Sequence, residues 1–228
     1  MVDAALFELE GVVFDTITLR RDSLRSALAA QGIAIPLEPE IIDALVPRAA
    51  AAAALMRARM PFDDVLVDLV AAGAERAFST KLATAGAELH EGARAFVESA
   101  ACSTRVAIVT RAARADAQVL LRLAGLDTVP AIMVCGDDVL DAKPSCEGYR
   151  LALDRLGRQR RVRLATVIAL EHGAMGIRAA LAAGVRCVVS GAVAPHIAIE
   201  ADAYLPTLQG QTLKSVDELL ASGREHVQ

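Results

Sequence analysis

The sequence has few aromatic residues and no tryptophan, since Phe, Tyr and Trp make up only 3% of its 228 residues. Proteins that hold single-stranded nucleic acid stack the bases on aromatic side chains, and this chain offers few of them. An excess of positive charge is also lacking, because 28 acidic residues outnumber 24 basic ones and the net charge is -4. A protein that binds the phosphate backbone carries a basic surface. We therefore expect no nucleic-acid partner.

Long hydrophobic runs and paired cysteines are absent as well. The longest unbroken apolar run, residues 49–56, is far shorter than the roughly 20 residues that a membrane-spanning helix needs. Acidic residues occur within the first ten positions, which is unlike a signal peptide. The four cysteines form no CxxC pair, and most lie in or beside apolar stretches as buried free thiols do. We expect a soluble cytoplasmic protein with no membrane partner.

The sequence is rich in apolar residues, and strand-like apolar runs alternate with helical patterns along much of it. Hydrophobic residues make up 54% of the chain and the mean hydropathy is +0.41, enough for a buried core. Apolar runs typical of buried strands occur at residues 4–9, 105–110, 131–135, 165–170, 186–190 and, more weakly, 203–205. Helical patterns fill the later gaps at 112–124, 146–156 and 175–183. This alternation predicts an α/β fold, a doubly wound, Rossmann-like parallel sheet covered by helices.

The segment from about residue 18 to residue 90 breaks the alternation, because it contains no convincing strand. Helical patterns punctuated by Gly and Pro occur there at residues 18–31, 38–45, 48–59, 62–77 and 81–87. We therefore expect a helical cap domain at 17–90, inserted after the first strand. The α/β core domain would then consist of residues 1–16 and 91–228.

Polar side chains follow four of the predicted strands. In an open parallel sheet, ligands bind at the edge where the carboxyl ends of the strands meet. The polar residues at these ends are Glu8 and Glu10 after the first strand, Thr110 after the second, Lys143 after the third, and Glu171 with His172 after the fourth. Lys143 is one of only three lysines, beside Lys81 and Lys214. Carboxylates, a hydroxyl, an ammonium and an imidazole are thus expected at one edge.

These motifs resemble those of the haloacid dehalogenase superfamily, in particular its β-phosphoglucomutase-like and phosphoglycolate-phosphatase-like subfamily. The family's first strand usually reads F-D-x-D-G-V-L-x-D-T/S, and residues 7–16, FELEGVVFDT, follow it except at both leading aspartates. Thr110 matches the second motif and Lys143 the third, while Glu171-His172 stands where the fourth has Glu-Asp. The helical insert has the place and size of the family's cap. The resemblance covers about residues 6–220.

The resemblance implies a phosphatase-type hydrolase that acts on a small phosphorylated metabolite with Mg²⁺. Glu8 would stand at the nucleophile position and Glu10 at the acid/base position. Thr110 and Lys143 would contact the phosphoryl group and stabilise its charge. The metal ligands would be Glu8, the backbone carbonyl of Glu10, Glu171 and His172.

Glu8, Glu10 and His172 depart from the family's aspartates. The extra methylene moves each glutamate carboxylate by roughly one C–C bond length, and a shift of about 1 Å can cost on the order of a hundredfold in rate. Mg²⁺ requires near-ideal octahedral oxygen geometry, whereas an imidazole nitrogen suits another divalent metal such as Zn²⁺ or Mn²⁺. The leading hypothesis is a hydrolase fold that keeps a phosphate-binding cleft while its phosphatase activity is weak or lost. Such a pseudoenzyme would serve as a binder or as the regulatory partner of another protein.

Alternatives stay open at this point. An active metal-dependent phosphatase would use Glu8 as nucleophile with a divalent metal other than Mg²⁺. A halide-releasing dehalogenase is disfavoured, because those family members lack the second acid and this chain has Glu10. Single residues have simpler interpretations too, since Thr110 also suits a helix N-cap and His172 a surface position.

Three arginines are candidate substrate contacts. Arg48 falls near the place where β-phosphoglucomutase-like caps position an arginine on a distal phosphate, although a solvated arginine at a helix start explains it equally. Arg111 and Arg114 follow Thr110 and would give the cleft an anion-attracting field.

Overall fold

The computed structural model describes residues 2–37, 47–59 and 61–222. Contacts divide the chain into two units. The core unit consists of Met1–Asp15 and Glu88–Gln228, and the helical unit consists of Thr16–Ala87.

The described part of the helical unit contains three helices, α1 (Ile17–Ala29), α2 (Pro47–Arg57) and α3 (Asp64–Ala85). The alanine-rich α2 buries Ala51, Ala54 and Leu55 completely, since small side chains allow close packing against α3. The Asp63 carboxylate caps α3 by accepting a hydrogen bond from the amide of Leu66. The predicted helix at 38–45 lies outside the described residues.

The prediction of two helices at 62–77 and 81–87 was wrong, because α3 runs through both without a break. The polar residues between the two patterns do not end the helix. The hydroxyls of Ser79 and Thr80 donate to the carbonyls of Glu75 and Arg76, one turn earlier. Hydrogen bonds of this kind let Ser and Thr remain inside a helix.

The core unit is built on strands. The strands are β1 (Ala4–Phe7), β2 (Phe14–Asp15), β3 (Glu88–Leu89), β4 (Arg105–Val109), β5 (Ile132–Val134), β6 (Val167–Glu171), β7 (Arg186–Ser190) and β8 (Ala203–Leu205). Six of them form a parallel sheet in the order β5–β4–β1–β6–β7–β8, and β2 pairs with β3 in a short antiparallel ribbon. Every residue of the central β1 is buried. The parallel sheet confirms the predicted α/β fold.

Helices flank this sheet. They are α4 (Ala93–Ser103), α5 (Arg114–Ala124), α6 (Glu147–Gln159), α7 (Ala174–Ala182), the short α8 (Pro195–Ala198) and α9 (Leu213–Ser222). The helices α6 and α7 pack their apolar faces on the sheet. They share one buried apolar cluster with residues of β1 and β6. Among the described residues, no helix combines the length and the apolar character needed to cross a bilayer.

Candidate functional site

Glu8, Thr110, Lys143 and Glu171 lie together at the carboxyl edge of the sheet. β1 lies between β4 and β6, and this order puts Glu8, which follows β1, between Thr110 and Glu171. All four side chains are buried, with exposed fractions between 2% and 6%. Polar groups that lose water need partners within the protein. The hydrogen bonds of these four residues therefore define the site.

The Glu8 carboxylate accepts hydrogen bonds on both of its oxygens. Its Oε1 accepts from the backbone amide of Leu9 at 2.8 Å, from that of Glu10 at 3.4 Å and from the Thr110 hydroxyl. Its Oε2 accepts from Lys143 Nζ at 2.7 Å. The carboxylate is thus held by two amides, a hydroxyl and an ammonium.

Lys143 Nζ uses its three protons on three oxygens. It donates to Glu8 Oε2 at 2.7 Å, to Glu171 Oε1 at 2.6 Å and to the carbonyl of Val109 at 2.8 Å. Burial by itself lowers the pKa of this lysine, but the carboxylates of Glu171 and Glu8 outweigh burial and hold the pKa above its ordinary value. The side chain is therefore a cation fully committed to groups of its own chain.

Glu171 faces inward from the end of β6. Its Oε1 accepts from Lys143 and from the Tyr149 hydroxyl. Burial, together with the nearby Glu8 carboxylate, raises the pKa of Glu171, while Lys143 opposes this shift. A Cβ atom at Gly176 on α7 would lie 1.9 Å from Glu171 Oε2, so the glycine makes room for the carboxylate.

Tyr149 belongs to the site but was not predicted from the sequence. It lies on α6, is fully buried, and donates its hydroxyl to Glu171. Burial and the Glu171 carboxylate raise the pKa of Tyr149 well above its ordinary value, which keeps the phenol protonated as a donor. One signal was available: Tyr149, Ala152 and Leu156 share a buried helix face, where a tyrosine hydroxyl needs a partner.

The His172 side chain contacts Ser190 and Gly11. Its ring Nδ1 lies 3.1 Å from the carbonyl of Ser190. The ring packs against Gly11, where a Cβ atom would lie 2.5 Å away, and Gly11 adopts φ +80°, which favours glycine. Glycine at position 11 is thus required by both the turn after β1 and the histidine.

The three arginines have separate surroundings. Arg114 donates to Asp138 and to the carbonyl of Met133, so its guanidinium is engaged within the core unit. The Nη1 atom of Arg111 is buried and has no hydrogen-bond partner among the described residues. Arg48 lies in the helical unit and binds Asp64 and Asp68, each at 2.6 Å.

The donor set at this edge does not fit Mg²⁺. Both oxygens of Glu8 accept hydrogen bonds from protein donors, and Oε1 of Glu171 accepts two. His172 offers nitrogen, whereas Mg²⁺ takes oxygen ligands in octahedral geometry. Within residues 2–37, 47–59 and 61–222, no group of three or more His, Cys, Asp or Glu side chains is placed to hold a metal ion.

Comparisons with known proteins identify the family. The haloacid dehalogenase-like hydrolase family model matches residues 2–184, and the chain therefore belongs to this family. The chain is 28% identical over 199 residues to Protein CbbY of Cereibacter sphaeroides, which covers 83% of this chain and 84% of that protein. Members of this family of hydrolases generally use Mg²⁺.

Solved structures extend the comparison. The structure of CbbY from Rhodobacter sphaeroides in complex with phosphate is similar with a TM-score of 0.78 at 25% identity, covering 95% of this chain and 100% of that one. A β-phosphoglucomutase from Clostridium difficile has the same fold, with a TM-score of 0.78 at 15% identity over 99% of this chain and 100% of that one. The predicted superfamily and subfamily resemblance is confirmed.

Proposed function

We propose that this hydrolase-family protein binds phosphate or a small phosphorylated metabolite at the carboxyl edge of its sheet and hydrolyses it weakly or not at all. Anion binding is supported by the Thr110 hydroxyl and the Lys143 ammonium, the donors that the Glu8 carboxylate binds in this structure. These groups stabilise phosphoryl oxygens in phosphoryl-transfer sites. The similar CbbY structure was solved in complex with phosphate.

The observation that carries the loss of hydrolysis is the state of the two carboxylates. Glu8 and Glu171 both bind Lys143, at 2.7 and 2.6 Å. The Glu8 oxygens accept hydrogen bonds from the Lys143 ammonium and the Thr110 hydroxyl, and oxygen electron pairs that are engaged in this way attack phosphorus less readily. Glu8 is therefore a poor nucleophile in this arrangement.

Glu10 and His172 support the same proposal. At the acid/base position, Glu10 places its carboxyl one methylene farther out than an aspartate would, and proton transfer requires close positioning. His172 replaces an anionic oxygen with a nitrogen that faces the Ser190 carbonyl. With phosphate binding retained and chemistry lost, the protein would act as a pseudoenzyme, a binder or regulatory partner.

Phosphate release tests this proposal. Initial rates are measured on a panel of sugar phosphates and other small phosphates with Mg²⁺, Mn²⁺, Zn²⁺ and Co²⁺. We compare the native protein, Glu8→Gln and the triple variant Glu8→Asp/Glu10→Asp/His172→Asp. The native protein is expected to match Glu8→Gln within background, and the triple variant to gain turnover because it restores the family's aspartates. Appreciable native turnover, at least as fast as that of the triple variant, that Glu8→Gln abolishes would refute the proposal and establish an active phosphatase with Glu8 as nucleophile.

A further inference from the structure

Four donors converge on the one carboxylate of Glu8. They are the amides of Leu9 and Glu10, the hydroxyl of Thr110 and the ammonium of Lys143. Backbone amides that follow a strand end, together with a hydroxyl and an ammonium, form a typical site for an oxyanion. In this chain the oxyanion that they hold is a side chain of the protein itself.

The length of the Glu8 side chain allows its carboxylate to contact these four donors. Its Oε1 accepts from the amides of the next two residues along the chain, so the carboxylate bends over the start of the loop that follows β1. An aspartate at this position would be shorter by one C–C bond, about 1.5 Å. The extra methylene thus lets the carboxylate reach donors that would otherwise face a free ligand.

Charge balance leads to the same conclusion. The one ammonium at the site, that of Lys143, already binds the two carboxylates of Glu8 and Glu171. A phosphate that reached these donors beside Glu8 would bring two like charges into contact in a buried place, where repulsion is strong. Free anion and Glu8 carboxylate therefore compete for one position.

We propose that Glu8 is a built-in occupant of the anion site, a tethered carboxylate that an inorganic phosphate or the phosphoryl group of a small metabolite must displace in order to bind. This inference rests on the proposed function, because it takes the carboxyl edge to be an anion site. It adds that the Glu8 carboxylate lowers the affinity of the native protein for phosphate. Removing this carboxylate is therefore expected to raise the affinity.

Isothermal titration calorimetry with inorganic phosphate on the full chain tests the inference. Glu8→Ala is expected to bind phosphate about tenfold or more tightly than the native protein, since it removes a like charge from contact. Glu8→Gln, which keeps the shape of the side chain, is expected to show a smaller gain. Glu91→Ala removes the same charge from an exposed position of the core unit and should show none.

A second variant locates the phosphate. Adding Thr110→Val to Glu8→Ala removes one of the four donors and is expected to reverse most of the gain. The inference is overturned if neither Glu8 variant gains affinity, if Glu91→Ala gains equally, or if the gain survives Thr110→Val. Circular dichroism identifies a variant that fails to fold, in which case the milder Glu8→Gln decides. Appreciable native turnover in the phosphate-release assay would instead refute the proposed weak or lost hydrolysis, so the two failures are distinguishable.

Discussion

Two cations of this molecule each bind two carboxylates, but in different surroundings. Lys143 in the core unit binds Glu8 and Glu171 at 2.7 and 2.6 Å, and Arg48 in the helical unit binds two aspartates at 2.6 Å each. The Lys143 side chain is 6% exposed, whereas that of Arg48 is 55% exposed. Distance alone does not separate the two clusters. Burial does, because water screens the exposed charges and leaves the buried ones dependent on each other.

The difference assigns separate roles to the two clusters. A buried charge that loses its partner is left without water, which is strongly destabilising. An exposed charge that loses its partner is solvated again at little cost. The core cluster is thus part of what holds the sheet edge together, and the Arg48 cluster is a local contact on a helical surface.

The largest expected effect follows from removing the buried cation. Lys143→Met should lower the free energy of unfolding by about 3–5 kcal/mol, because two buried carboxylates lose their shared partner. Urea denaturation at pH 7 measures the change. Lys214→Met is the matched control, since Lys214 is 87% exposed and lies 3.7 Å from Glu218. Equal effects of the two substitutions would contradict the claim that burial makes the ion pairs of Lys143 important for stability.

A smaller effect is expected from the neutral partner of the same cluster. Tyr149→Phe removes the hydroxyl that donates to Glu171 and should lower the free energy of unfolding by about 1–3 kcal/mol, because one buried acceptor loses a hydrogen bond. Thermal or urea unfolding measures it, with the exposed Tyr204→Phe as control. A change as small as that of the control would mean that Glu171 does not depend on Tyr149.

The smallest effect is expected in the helical unit. Arg48→Ala should change the free energy of unfolding by no more than about 1 kcal/mol, because its two ion pairs are exposed. The difference from the native protein should shrink further in about 1 M salt, where the screening length is about 3 Å. A loss comparable with that of Lys143→Met would contradict the distinction between the clusters.

Much of the sheet could be predicted from the sequence, because buried parallel strands are continuous apolar runs. The strands predicted at 186–190 and 203–205 have the bounds of β7 and β8. The helix α4 was missed, since its small residues dilute the apolar face around Phe96 and Val97. The two-residue strands β2 and β3 are too short for any periodic pattern.

The candidate site was predictable in its residue types and less so in its contacts. Strand order brings polar residues to one edge. No sequence pattern says which donors a glutamate will take, because that depends on side-chain conformation and on neighbours far along the chain. The contacts of Glu8 with Thr110 and Lys143 join residues 102 and 135 positions apart. The contacts of Tyr149 and Gly176 with Glu171 could not be predicted for the same reason, since only folding brings these residues together.

A double-mutant cycle tests the buried pairing of the site most directly. Glu8→Gln, Lys143→Met and the combined variant are compared in urea unfolding, alongside the cycle of Arg48→Ala with Asp68→Ala. The predicted coupling free energy is about 2 kcal/mol or more for Glu8 with Lys143, and below about 0.5 kcal/mol for Arg48 with Asp68. Equal and small coupling in both cycles would mean that Lys143 does not bind the Glu8 carboxylate. It would contradict the proposal that Glu8 occupies the anion site.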